Sequence, residues 1–162
     1  MKVFIIALAF CGLASAQFLP LVASSRYSAT TGDVSLSGSA TTLTIQQPAT
    51  GAKQVALETA TVYCSVACNV TQAQNGAAAT ATAATLTPIT STGQAPSATA
   101  WTASNVGSGT AVGPILHLAA GATVVIDLSR VTMGTGGTGT NYSVTVSSIT
   151  GTANITILEN EK

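Results

Sequence analysis

Charged side chains are what this sequence lacks most. Only 6% of its 162 residues are Asp, Glu, Lys or Arg, against about 25% in an average soluble domain. Five basic and five acidic residues give a net charge of zero, so the chain has no basic patch for nucleic acid or an anionic membrane surface. Hydroxyl and amide groups must keep the surface wet, and such a surface tolerates close packing against other copies of the chain.

Histidine and clustered acids are also scarce, which limits metal chemistry. His117 is the single histidine, and two cysteines with one histidine have no zinc-motif spacing here. Asp33 is the only acid in its neighbourhood, which excludes a calcium loop there. Glu159 and Glu161 are expected to lie at a frayed C-terminus, not to act as paired catalytic carboxylates. We therefore predict no metal site and no cofactor.

The sequence contains no complete motif for a catalytic nucleophile or for nucleotide binding. His117 and Asp127 fall on neighbouring predicted strands, but the chain has no G-x-S-x-G elbow, and an outward-facing histidine is favoured over a general base. Residues 134–139 (GTGGTG) match G-x-G-x-x-G by letter, yet a strand-like run follows them where a helix is required. They predict a flexible loop, and the sequence as a whole predicts no enzyme.

The only long apolar run lies at the N-terminus. Met1-Lys2 supplies a positive start, residues 3–13 are apolar, and Ala14-Ser15-Ala16 is a cleavage site of the A-x-A type. The run is too short to span a bilayer. We predict a signal peptide over 1–16 and a secreted protein without a membrane span, periplasmic if the source is a Gram-negative bacterium.

The predicted mature chain is a single domain. Residues 17–32 form an N-terminal segment, in which 18–22 is either a first strand or an arm that docks on a neighbour. Residues 33–162 form the domain itself. Abundant Thr and Val, frequent Gly and alternating apolar and polar residues favour strands over helices.

Two pairs of alternating runs predict β-hairpins in the C-terminal half. The first joins residues 142–146 to 153–157 around Thr150-Gly151, and the second joins 115–118 to 123–128 around a glycine-containing turn.

Other strand-like runs occur throughout the chain. Asn75-Gly76 predicts a turn, and residues 77–84 predict a loop or an edge strand. About eight to ten short strands at this spacing indicate an all-β fold, a single β-sandwich, with a jelly roll as the favoured topology. The remaining predicted strands cover residues 41–47, 53–64, 69–74, 86–90 and 99–105.

Cys64 and Cys68 are the two cysteines of the predicted mature chain, and in an exported protein such a pair usually bonds. Four residues along an extended strand span about 13 Å, whereas a disulfide needs Cα atoms within about 7 Å. A bond therefore requires that residues 65–67 turn and end the strand. The alternative is two buried thiols on one strand face.

The remaining candidates are an aromatic residue and three glycosylation sequons. Trp101 is expected to anchor the core; exposed, it would be a platform for stacking sugars. Asn69, Asn141 and Asn154 each begin an N-x-Ser/Thr sequon, which a secreted eukaryotic protein can glycosylate.

These features favour a secreted structural or assembly protein that self-associates or packs on other surface components. The alternative is a monomeric extracellular module that binds carbohydrate or a cell-surface protein.

Overall fold

The computed structural model describes residues 24–47, 53–77, 82–90, 94–103, 108–131, 133 and 141–162. The predicted signal peptide, residues 18–22 and the loop at 134–139 lie outside these ranges. The described residues form strands and no helix. The strands are β1 (Ser25–Thr30), β2 (Val34–Ser35), β3 (Ala40–Gln46), β4 (Val55–Cys64), β5 (Cys68–Ala77), β6 (Thr82–Ala84), β7 (Thr87–Pro88), β8 (Thr99–Ala103), β9 (Ser108–Ala111), β10 (Leu116–Leu118), β11 (Thr123–Asp127), β12 (Asn141–Ser147) and β13 (Thr152–Glu161).

The strands form two antiparallel sheets that pack on each other, so the predicted all-β, sandwich-like fold is confirmed. Sheet A has the order β11-β4-β13-β1-β7, with β2 also pairing with β13. Sheet B has the order β10-β5-β12-β3-β8-β6, with β9 also pairing with β5.

One apolar core fills the space between the sheets because alternate side chains of each strand point inward. Ile155 and Ile157 of β13 meet this core from sheet A, and Leu43 and Ile45 of β3 meet it from sheet B. All four side chains are fully buried. Burial of each such side chain contributes about 1.5–3 kcal/mol to folding.

Consecutive strands alternate between the sheets in most of the chain. β3 lies in sheet B, β4 in A and β5 in B; β10 and β12 lie in B, while β11 and β13 lie in A. The two predicted hairpins are therefore wrong, although all four of their strands are present. Each short turn is an arch that carries the chain across the core. Each strand then pairs with strands distant in sequence, as in the pairing of Ser25 with Glu161.

The arches meet at one end of the fold, which we call the arch end, and backbone hydrogen bonds join them there. Ser65 donates its amide to the carbonyl of Thr152 at 2.9 Å, and Gly121 donates to Cys64 at 2.9 Å. Leu36 donates to Gly151 at 2.7 Å. The connections from β1 to β3, β4 to β5, β10 to β11 and β12 to β13 thus support one another.

Cys64 and Cys68 lie at disulfide distance, with their Cα atoms 6.4 Å apart. As the spacing argument required, the strand ends at Cys64 and a new strand begins at Cys68. The bond spans the arch between β4 and β5, so it ties sheet A to sheet B.

The predicted turn at Asn75-Gly76 is wrong, because β5 continues through it to Ala77. Asn75 has a positive φ of 56°, and the register with β9 shifts between Gln74 and Ala77. Asn75-Gly76, a pair that commonly forms a tight turn, here forms a bulge within the strand. Residues 77–84 were predicted to be a loop or an edge strand. Within them, β6 is an edge strand of sheet B, and residues 78–81 lie outside the described ranges.

We predict that Gly151→Ala destabilises the protein by about 1–3 kcal/mol. Gly151 has a φ of +92°, and an added Cβ would lie 2.5 Å from Cγ2 of Val66 in the neighbouring arch. Urea unfolding measures the change. Gly121→Ala is the matched control, because Gly121 also has a positive φ, +73°, but its Cβ would meet no atom within 4 Å. Equal unfolding midpoints for the two variants would contradict close packing between the arches.

Candidate functional site

Two acidic side chains lie inside the fold at the end opposite the arches. Glu159 and Glu161 are 0% and 1% exposed and belong to β13, which pairs with β1 on one side and β4 on the other. The expectation of a frayed C-terminus is therefore wrong. The alternation in β13 could have indicated that both acids point inward, since Glu159 and Glu161 are odd-numbered like the core residues Ile155 and Ile157.

Glu161 links the two sheets through one of its carboxylate oxygens. Oε1 accepts backbone N–H groups from Ser97 at 2.6 Å and Ala98 at 2.8 Å, which fixes the segment that enters β8 of sheet B. Oε2 lies 3.6 Å from Nζ of Lys53. Hydrogen bonds to an ionised carboxylate are stronger than those between neutral groups, so Glu161 acts as a clamp between the sheets.

Glu159 has no such support. Neither of its carboxyl oxygens has a hydrogen-bond partner within the described residues, and Tyr27 and Leu57 flank it on the adjacent strands. Burial, together with the nearby charge of Glu161, raises the pKa of Glu159 to about 8. An unpaired buried carboxylate is costly, so this side chain keeps its proton at neutral pH.

The surroundings of the pair suit a structural role better than a metal site. Lys53, the cation beside Glu161, is itself bonded to the end of β3, because Nε2 of Gln47 donates to the carbonyl of Lys53 at 3.4 Å. Calcium prefers six to eight oxygen ligands, whereas here one carboxylate is engaged and the other is protonated. The described ranges hold no group of three or more His, Cys, Asp or Glu side chains arranged for a metal. We call Lys53, Glu159 and Glu161 the carboxylate cluster.

His117 and Asp127 are not brought together. His117 is exposed on β10 of sheet B, with Nδ1 2.7 Å from Oδ1 of Asn69, whereas Asp127 lies on β11 of sheet A. The expectation of neighbouring strands failed with the hairpin that joined them. Asp127 instead accepts the backbone N–H of Ser129 at 2.9 Å. This bond and the Ser129 side chain lower the pKa of Asp127, and Arg130 adds to the effect.

Trp101 is half-buried on β8 and is not part of the core, so the expected core anchor is wrong. Ala98 and Ala100 take the inward positions of this run, which places Trp101 on the outer face. Its indole N–H donates to Oγ1 of Thr99 at 3.1 Å. Together with Leu86 it borders a depression of about 180 Å³. The alternation is hard to recognise in the sequence because alanine fits either face.

The three sequon asparagines differ in accessibility. Asn69 is exposed, whereas Asn141 is buried. Asn154 donates to Oδ1 of Asp33 at 3.1 Å and accepts the hydroxyl of Thr30 at 3.1 Å. Asn69 is thus the sequon whose side chain is best placed to carry a glycan.

No family model, curated protein or solved structure matches this chain. None of the described segments is a helix long and apolar enough to cross a membrane.

We predict that Glu159→Gln removes a pH dependence of stability. Between the ordinary pKa of 4.5 and the folded-state pKa of about 8, the folded protein holds a proton that the unfolded chain has lost. The free energy of unfolding therefore falls as pH rises through this window, by at most about 1.4 kcal/mol per pH unit from this group.

Urea unfolding at a series of pH values across the window measures this slope. Glu58→Gln is the control, because Glu58 is a partly exposed acid paired with Arg26, and this variant should keep the slope. Parallel pH profiles for the wild type and Glu159→Gln would show that Glu159 is not the titrating group.

Proposed function

We propose that this chain is a secreted, non-enzymatic structural or assembly protein that packs against copies of itself or against other surface components. The observation that carries the proposal is the outer face of sheet A, which is nearly free of unpaired charge.

A row of small side chains crosses this face. Thr30, Thr156, Thr61 and Val125 stand side by side on β1, β13, β4 and β11. Thr156 donates its hydroxyl to Oγ1 of Thr30 at 3.2 Å. Hydroxyls that already have partners lose less when a neighbouring protein displaces water, because no donor or acceptor is left unpaired.

Two of the charges on the face pair with each other, the two aspartates accept hydrogen bonds, and apolar groups stand between them. Arg26 donates through Nε to Oε1 of Glu58 at 3.0 Å, and Asp33 is bonded to Asn154. Tyr63 is 38% exposed and Val125 63% exposed. Depletion of charge with retained aromatic residues is typical of the centre of protein–protein interfaces.

We also propose that the fold is a jelly roll. The eight central strands have the orders β1-β13-β4-β11 and β3-β12-β5-β10, in which strands joined by an arch stand opposite each other in the two sheets. This order supports a double-wound jelly roll, a fold that occurs in capsid proteins and in lectins and so does not fix a function. Secretion is supported by the signal-like N-terminus and by a cysteine pair at disulfide distance.

The second candidate is a module that binds carbohydrate. The observation in its favour is Trp101, which borders a depression, and a partly exposed indole can stack on a sugar ring. The depression holds few polar groups to fix a sugar, which makes this the weaker candidate.

For the leading proposal, residues 17–162 should form a defined oligomer or polymer in size-exclusion chromatography with light scattering. Because the face carries little unpaired charge, the molar mass should change little between low and high salt; screening would dissociate an assembly held by charge. A clean monomer at all accessible concentrations would contradict the proposal.

For the second candidate, titration with soluble glycans is followed by fluorescence. Trp101 is the single tryptophan, so the signal reports this site without background. Under the leading proposal we expect no saturable change across a broad panel. A saturable change would favour the binding module, and isothermal titration calorimetry with Trp101→Phe, which has no tryptophan signal, should then show weaker binding.

A further inference from the structure

We infer that two copies of this chain join through β11, which pairs antiparallel with its own copy around a two-fold axis at Val125. Sheet A would then continue from one copy into the other. The inference rests on the proposed self-association and adds the edge of sheet A to its outer face as a contact surface.

Among the described strands, β11 is the edge least protected against such pairing. It has five residues, Thr123–Asp127, without proline, lysine or arginine. The opposite edge of sheet A, β7, has two residues and contains Pro88. In sheet B the edge strands β6, β9 and β10 have only three or four residues each. Short strands and prolines commonly prevent edge-to-edge pairing, and β11 has neither.

The backbone of β11 presents its free hydrogen-bonding groups at the right positions. Leu128 donates to the carbonyl of Glu58 at 2.9 Å, and Ala122 accepts from Cys64 at 3.2 Å. Even-numbered residues therefore bond to β4. By alternation, the N–H and C=O groups of Thr123, Val125 and Asp127 point to the outer edge, where no other described strand pairs with them.

These three residues are complementary to themselves. A two-fold axis at Val125 places Val125 opposite the Val125 of the second copy, and Thr123 opposite Asp127. Each of the three facing pairs can exchange two hydrogen bonds. Only Asp127 carries charge, and it faces a hydroxyl, so no like charges meet. A closed contact of this kind is the usual way in which identical chains form a dimer.

β11 itself offers apolar surface for the same contact. Val125 is 63% exposed. Val124 and Ile126 are only partly buried, although they pack against the core. Extension of the sheet would cover the inward-facing pair and would stack the two Val125 side chains on the outer face, so the contact combines hydrogen bonds with apolar burial.

Val125→Pro is the first test, because proline removes an N–H that bonds nothing within the described fold, and an edge strand tolerates it. We expect this variant, and Val125→Lys, to halve the molar mass of a wild-type dimer in light scattering, or to break a larger assembly into smaller units. Ile149→Lys is the matched control, since it adds the same charge at an exposed isoleucine at the arch end, and it should keep the wild-type mass. Unfolding midpoints establish that each variant is folded.

A second test reads the register directly. Facing residues of a hydrogen-bonded antiparallel pair have Cα atoms about 5.5 Å apart, which a disulfide can span. Under oxidation, Val125→Cys should link two copies covalently on a non-reducing gel. Thr123→Cys should not link to itself, because it faces Asp127.

The outcomes separate this inference from the proposed function. A wild-type oligomer that persists in Val125→Pro and gives no link in Val125→Cys would overturn the β11 contact and leave self-association standing. A wild-type monomer that also fails to link through Val125→Cys would overturn both.

Discussion

The passage of the chain from one sheet to the other at each arch is the constraint on which the rest of this structure depends. Because arch-joined strands face each other across the core, neither can pair with the other. β13 is bonded instead to β1, β2 and β4, from the opposite end of the sequence. Most of the described strands must therefore be in place before the core closes, which favours a cooperative fold with non-local, slowly formed contacts.

The two sheets are linked in different ways at the two ends of the fold. At the arch end, four connections converge, and their backbone groups bond one another while the Cys64–Cys68 pair joins the sheets covalently. At the other end, the carboxylate cluster supplies the link. Glu161 draws the approach to β8 onto β13 with two backbone N–H bonds. Glu159, beside it, remains inside only as the neutral acid, since the interior offers it no partner among the described residues.

Most of the described surface is arranged so that polar groups have partners and strand edges are protected. Scarce charge leaves threonine hydroxyls to satisfy one another on the outer face of sheet A, and Arg26 and Glu58 neutralise each other there. Short strands and a proline protect other described sheet edges. In contrast, β11 is unprotected and carries the exposed Val125, which makes it a suitable place for a contact between copies.

The sequence by itself determined most of the strands, because a period of two is a local property of the chain, but it did not predict β2 or β9. It also determined that the strand must break between Cys64 and Cys68, since the reach of a disulfide is shorter than four extended residues. It could not assign strands to sheets. A glycine turn permits a hairpin or an arch, and only pairing with distant strands decides between them.

The same limit explains the misplaced side chains. A frayed end was expected at Glu159 and Glu161 because no local pattern indicates that β13 runs between β1 and β4. Trp101 was expected in the core, whereas Ala100 of β8 and Ala98 just before it take the inward positions. Local alternation thus established which residues share a face, and only the packing of the two sheets established whether that face is buried.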